Sequence, residues 1–148
     1  MRILVISDSH GNTRNIERAV ESQPEANIII HLGDGADDIV DLEFVYRDKQ
    51  FYQVAGNCDW GSSLPLEGEL KVADKTIFFV HGHEYRVKTN LQQIKMEARK
   101  RNADIVLFGH THLPITEYDD ELYLLNPGSL QYADGTYGII DITDAGIS

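Results

Sequence analysis

The sequence predicts an α/β fold in which mixed β-sheets carry helices on their outer faces. Three observations predict it. Short, nearly continuous apolar runs, the pattern of strands buried on both faces, alternate with amphipathic segments in the first third of the chain. The second half changes to paired runs around short polar turns, the pattern of hairpins. Most of the strands stop in polar clusters, and in open α/β sheets ligands gather beyond the carboxyl ends of the strands.

The elements follow in order. Arg2–Ser7 (RILVIS) reads as a buried strand. Thr13–Ser22 places Ile16, Ala19 and Val20 on one stripe of a helix, with Asn12 or Thr13 as its cap. Asn27–Leu32 is a second strand, Asp37–Arg47 a second helix and Phe51–Ala55 a third strand. This βαβαβ order implies parallel pairing through right-handed crossovers. Glu69–Val80 reads as two strands turning at Ala73–Lys75, and Thr89–Arg101 as a helix with Leu91, Ile94 and Ala98 on one face. Asp104–Gly109 is a strand, Thr116–Leu125 a hairpin turning at Asp119–Asp120, and Gly138–Ile147 a pair turning at Asp144–Gly146.

A chain of 148 residues fits one domain, residues 1–148, and can bury about two-thirds of its unfolded surface without a covalent staple. With 13 basic against 24 acidic residues the net charge is −11, which repels nucleic-acid backbones, so stable nucleic-acid binding is not expected. The single cysteine, Cys58, excludes an intrachain disulfide and fits a reducing compartment. No apolar run approaches a membrane span, and Asp8 arrives too early for a signal peptide. A cytoplasmic protein is expected, its oligomeric state left open.

All six histidines lie in the segments that end strands: SDSHGN (7–12), HLGDG (31–35), GNCD (56–59), VHGH (80–83) and GHTH (109–112). If GHTH is extended, His110 and His112 share a face and reach one small volume. Asp8, His10, Asp34, Asn57, His81, His110 and His112 offer nitrogen and oxygen donors and require no thiolate. Seven donors exceed one four-coordinate site and suit two neighbouring ions sharing a carboxylate. Imidazole mixed with carboxylate favours manganese, nickel, iron, zinc or cobalt over calcium or magnesium. Two such ions are a known device for hydrolysing phosphate esters. Taken singly, Asp8 could cap the first helix, Asp34 could form an Asx-turn and Asn57 could be a left-handed turn residue. His31, inside an apolar strand, reads as a satisfied core histidine or a partner of a ligand.

The ordered set D-x-H, G-D, G-N-x-D, H-G-H and G-H-x-H resembles the calcineurin-like metallophosphoesterase superfamily. With the short chain and NPGS at Asn126–Ser129, it is similar to the minimal YfcE-type phosphodiesterases. The resemblance implies a four-layer αββα sandwich of two mixed sheets flanked by helices, and two divalent ions, manganese first among the candidates. It assigns Asp8, His10 and His112 to one ion, Asn57, His81 and His110 to the other, and Asp34 as the bridge between them. It implies hydrolysis of a small phosphoester by attack of a metal-bridging hydroxide. Phosphomonoesterase, nuclease and catalytically idle scaffold are the alternatives within the fold. Asp59, Cys58 and His83 complete the set as candidate catalytic residues. Cys58 stands where many members carry the histidine thought to protonate the leaving group, and His83 is the candidate substitute acid or phosphate contact. NPGS runs into LQYADG rather than the Pro-Arg often seen in the family.

Overall fold

A computed structural model describes residues 1–148. Its ten strands form two five-stranded mixed sheets. The first sheet contains β1 (Arg2–Ile6), β2 (Ala26–His31), β3 (Gln50–Gln53), β9 (Gly138–Thr143) and β10 (Gly146–Ile147), in the order β10-β9-β1-β2-β3. The second contains β4 (Glu67–Val72), β5 (Lys75–Val80), β6 (Ile105–Leu107), β7 (Ile115–Asp119) and β8 (Leu122–Asn126), in the order β4-β5-β6-β8-β7. Each sheet is built on a parallel trio, β1-β2-β3 in one and β5-β6-β8 in the other. Antiparallel strands flank these trios.

Three apolar layers hold the sandwich together. Ile3, Val5, Ile28, Ile30, Ile77, Phe79, Ile105 and Leu107 alternate inward from the two sheets and form the central layer. On the outer face of the first sheet, Leu4, Ile6 and Ile29 meet Ile16, Ala19 and Val20 of helix α1 (Thr13–Ser22) and Leu42 of α2 (Val40–Val45). On the outer face of the second, Phe78, Val80, Val106 and Leu124 meet Ile94 and Ala98 of α3 (Gln92–Lys100). The four-layer arrangement expected from the family pattern is therefore present. No helix is long and apolar enough to cross a membrane.

Helix α1 has the expected bounds, and Asn12 is its cap, accepting from the Asn15 N–H at 3.1 Å. Helix α2 is shorter than the expected Asp37–Arg47, because the Asp38 carboxylate is engaged by Ser9 and Gly11 and the preceding residues are held in turns. Helix α3 starts at Gln92 rather than Thr89, with the Asn90 side chain accepting the Gln92 N–H. Strand β6 stops at Leu107, two residues before Gly109, whose N–H turns to the His81 carbonyl at 2.8 Å. Ala73 and Asp74 both have positive φ, so the β4–β5 connection is a tight two-residue hairpin. The β7–β8 turn has the same form one residue later than expected, at Asp120–Glu121.

The topology places the site. The parallel trios deliver Asp8, His10, Asp34 and Asn57 from the ends of β1, β2 and β3, and His81, His110 and His112 from the ends of β5 and β6. Apart from Thr76, every buried polar residue lies in or beside these strand ends: Ser7, Asp8, Ser9, His31, Asp34, His81, Asn126 and Ser129. Burying that much polarity at one end of a sandwich is costly unless each group is partnered.

Candidate metal centre

Asp8 follows β1 and is fully buried. Its Oδ2 accepts from the Ser7 hydroxyl (2.6 Å) and the His110 N–H (3.0 Å). Its Oδ1 is buried with no hydrogen-bond partner. Around that oxygen stand the Nε2 atoms of His112 (3.2 Å), His10 (3.8 Å) and His81 (3.8 Å). Asp34 presents Oδ1 to the Cys58 N–H (2.8 Å), leaving Oδ2 3.3 Å from His81 Nε2 and 3.6 Å from His10 Nε2.

His81 shows what the arrangement wants. Its Nδ1 lies 2.7 Å from the Leu32 carbonyl oxygen, which can only accept, so Nδ1 carries a proton. The neutral ring then turns the Nε2 lone pair toward Asn57 Oδ1 (2.9 Å) and Asp34 Oδ2 (3.3 Å). Three acceptor atoms converge, and a proton on Nε2 or a cation among them relieves the conflict. Burial opposes charging His81, yet the Asp34 and Asp8 carboxylates raise its pKa. Burial likewise opposes the Asp34 carboxylate, but a hydrogen bond from His81 when Nε2 is protonated, and one from the Cys58 N–H, hold it well below the usual carboxylate range. With the unpartnered Asp8 Oδ1, this donor set fits divalent ions of the transition series.

Three clusters have donor atoms mutually within 4.8 Å: Asp8–His10–His112, Asp8–Asp34–His81, and His10–Asp34–Cys58. The first brings together the three residues that the family resemblance assigns to one ion. The second joins Asp34 and His81, with Asn57 alongside through its 2.9 Å approach to His81. The His110 ring lies 5.0 Å from that of His81, beside this second cluster. Burial, then the neighbouring His81, lowers the His110 pKa to about 4, so the imidazole is neutral, the form that ligates metals.

The backbone differs from the extended GHTH segment used to bring its histidines together. His110 (φ 70°) and His112 (φ 64°) are left-handed, as are Asp8 (φ 53°), His10 (φ 44°) and Asp34 (φ 59°). Convergence therefore comes from tight left-handed turns, not from strand alternation. Non-glycine residues rarely adopt this conformation, although Asp, Asn and His do so most readily, and its concentration here marks strain held around these donors. Close approach adds to the constraint. A Cβ on Gly56 would stand 2.2 Å from Asp34 Oδ1, and one on Gly109 would stand 2.2 Å from Ser7 Oγ.

Several residues support the site through bonds that local spacing does not encode. Buried Asn126 donates to the Gly109 carbonyl (3.1 Å) and Thr111 Oγ1 (3.0 Å) and accepts from the Gly128 N–H. Ser129 donates to the Asp8 carbonyl (2.7 Å). NPGS is thus a brace across the D-x-H and GHTH loops. Tyr132, in the LQYADG segment, brings its hydroxyl within 3.3 Å of His112 Nδ1. Polar side chains at a strand end were the available signal, but their partners lie more than a hundred residues away in places.

Asp59 needs a different role from the catalytic one expected. Its two oxygens accept four backbone N–H groups, from Asp34, Gly35, Ala36 and Gly56 at 2.8–3.0 Å. The carboxylate is committed to shaping the loops that carry Asp34 and Asn57, and we assign it as a positioning residue. Cys58 is exposed, and its sulfur lies within 4.8 Å of donor atoms of His10 and Asp34. Burial of the sulfur and then the Asp34 carboxylate raise its pKa. His83 sits in a single 3-10 turn (His83–Tyr85), its ring 5.5 Å from His81 and 6.1 Å from His110, and its Nδ1 buried without a partner.

His31 is a partner of the site. Gly33 donates its N–H to Nδ1 (3.1 Å), so the proton of the neutral ring is on Nε2. That nitrogen donates to Ser9 Oγ (2.9 Å), and Ser9 donates to Asp38 (2.5 Å), which also receives the Gly11 N–H. The chain of bonds fixes the loop carrying Asp8 and His10. Burial depresses the His31 pKa to about 4, below the ordinary 6.5. Between these values the unfolded chain takes a proton that the folded chain refuses. The stability carried by neutral His31 is thus complete above pH 6.5 and declines as pH falls toward 4, by up to about 1.4 kcal/mol per pH unit. Urea unfolding of chelator-treated protein is expected to show a steeper loss from pH 7 to pH 5 in wild type than in His31→Gln. Parallel pH profiles would contradict this assignment.

Fold and donor set together define a class: an α/β sandwich that collects carboxylate, amide and imidazole donors where the parallel strands of two sheets end. The chain belongs to the calcineurin-like phosphoesterase superfamily, whose domain model matches residues 1–145. It is 32% identical over 133 residues to the probable metallophosphoesterase YsnB of Bacillus subtilis, covering 88% of this chain and 76% of that protein. It is 25% identical over 169 residues to the phosphodiesterase YfcE of Escherichia coli, covering 95% and 88%. A solved structure from Streptococcus pneumoniae, described as a predicted phosphoesterase, superposes with a TM-score of 0.80 at 27% identity, covering 97% of this chain and 83% of that one.

Proposed function

We propose that this protein is a binuclear metal-dependent phosphodiesterase acting on small phosphoesters. The observation that carries the reading is the convergence of Asp8 Oδ1, Asp34 Oδ2 and Asn57 Oδ1 with the Nε2 atoms of His10, His81 and His112. One ion would be held by Asp8, His10 and His112, the other by Asn57, His81 and His110, with Asp34 shared. Bound there, divalent ions of the manganese class would supply the charge that holds an anionic ester on a −11 protein and would acidify water near neutral pH.

The residues themselves do three things. Asp8 and Asp34 hold negative charge between the sheets, with one oxygen of each fixed by N–H or O–H donors so that the other is aimed. The Leu32 carbonyl fixes the His81 tautomer, keeping Nε2 directed at Asn57 and Asp34. His83, beside both His81 and His110, is the residue we assign to contact a phosphoryl oxygen or the leaving group. A catalytically idle scaffold predicts a broken donor set, whereas all seven donor residues are present in this sequence. The direct test is hydrolysis of bis-p-nitrophenyl phosphate and p-nitrophenyl phosphate with manganese and with chelator. Metal-dependent turnover favouring the diester is expected, whereas chelator-insensitive turnover would overturn the reading.

Cys58 leads to a second expected outcome. Expelling an alkoxide needs a proton, and a histidine titrating near neutrality supplies one better than a thiol. Wild type should therefore hydrolyse nitrophenyl esters far faster than alkyl esters. Cys58→His should raise alkyl-ester turnover by about 10²-fold, the lower range for a placed general acid. An aryl-to-alkyl ratio unchanged in Cys58→His would make Cys58 a bystander.

A further inference from the structure

A cavity of about 690 Å³ opens beside the donor cluster. His10, Asp34 and Cys58 form one side, and Gln53, Trp60 and Leu64 lie on its lining. A phosphoryl group fills a small part of that space, which lies in the range of sites for whole organic ligands, about 300–1,000 Å³. The cavity therefore has room for a substantial arm of the ester.

Its chemistry restricts the arm. The lining includes four carboxylates, two of them exposed or half-exposed on the segment before α2, and no lysine or arginine. A further phosphate on the arm would meet repulsion. Trp60 is the only tryptophan of the chain, and it is 91% exposed. It stands directly after Asp59, whose side-chain bonds tie this loop to the Asp34 loop, so the indole is carried on an anchored segment. A planar ring for the indole face, bearing N–H donors for the exposed Asp37 carboxylate, matches both features. A simple aryl group matches only the first.

Building on the phosphodiesterase reading, we propose that this cavity binds the nucleoside arm of the substrate, its base stacked on Trp60, and that the substrate class is a small nucleoside phosphodiester without a second phosphate on that arm.

Adenosine 5′-monophosphate, a product-like probe, distinguishes the base from the phosphate. Calorimetric titration of the full-length, manganese-loaded protein should show it binding about 5- to 150-fold tighter than ribose 5-phosphate, the worth of one base–aromatic stack. It should quench the single tryptophan's fluorescence, and ribose 5-phosphate should not. Adenosine 3′,5′-bisphosphate should bind more weakly than the monophosphate. In Trp60→Ala the ratio of the first two affinities should fall to about 1, with Trp60→Phe between. Equal affinities in wild type, a ratio unchanged in Trp60→Ala, or tighter binding of the bisphosphate would overturn the proposal. Inorganic phosphate separates the two levels. If it binds while the ratio is 1, the nucleoside site alone fails. If it does not bind and bis-p-nitrophenyl phosphate is not hydrolysed, the phosphodiesterase reading fails and the nucleoside site falls with it.

Discussion

Asp34→Asn should lower phosphodiester hydrolysis by about 10³-fold or more, the scale of several kcal/mol of lost charge stabilisation. The isosteric amide keeps an oxygen for the Cys58 N–H, which Asp34 Oδ1 accepts at 2.8 Å, so the loop retains its internal bond. What disappears is the negative charge that faces both His81 and His10. A shared carboxylate offsets the mutual repulsion of two cations, so bound metal should fall along with activity. Thermal unfolding in chelator should stay close to wild type. Full hydrolysis by a variant holding a single ion would exclude Asp34 as the bridge.

His110→Ala and His31→Ala should separate a ligand from its support. His110 donates its backbone N–H to Asp8 Oδ2, and that bond survives any side-chain change. Loss of the imidazole should cost about 10²-fold or more in hydrolysis, even with saturating manganese. Because position 110 is left-handed, His110→Asn, which tolerates that conformation, is the companion variant and should lose comparably. His31→Ala breaks the bonds through Ser9 to Asp38 that fix the Asp8–His10 loop. It should weaken metal binding by about 10–100-fold, with activity recovering as manganese is raised. Equal, unrecoverable loss in both, with folded protein, would place His31 among the ligands.

The legible parts of the molecule were those governed by local pattern. The apolar runs at residues 2–7 and 27–32 marked strands within one residue of their observed bounds, and the stripe of Ile16, Ala19 and Val20 marked α1. Segment 37–47 carries a helical pattern throughout, but its first residues obey a tertiary demand: Asp38 is engaged by Ser9 and Gly11 from another loop. The donors of the candidate site could be read because each follows a strand. The way they meet could not. Five of them occupy left-handed conformations, and local spacing had suggested an extended HxH instead. Asp59 stands among the candidate catalytic residues because a carboxylate in a motif reads alike whether it faces substrate or backbone. Only the positions of four N–H groups from residues 34–36 and 56 distinguish the two. Asn126 and Ser129 bond across to the loops of Gly109 and Asp8, a relation that sequence spacing does not encode.

Metal stoichiometry measured together with turnover tests the central claim most directly. Chelator-stripped wild-type protein titrated with manganese, with bound metal and bis-p-nitrophenyl phosphate hydrolysis read on the same samples, should bind two ions per chain and gain most of its activity with the second. Saturation at one ion per chain with full activity, or full activity without metal, would contradict a binuclear centre built on Asp8, Asp34 and the surrounding imidazoles.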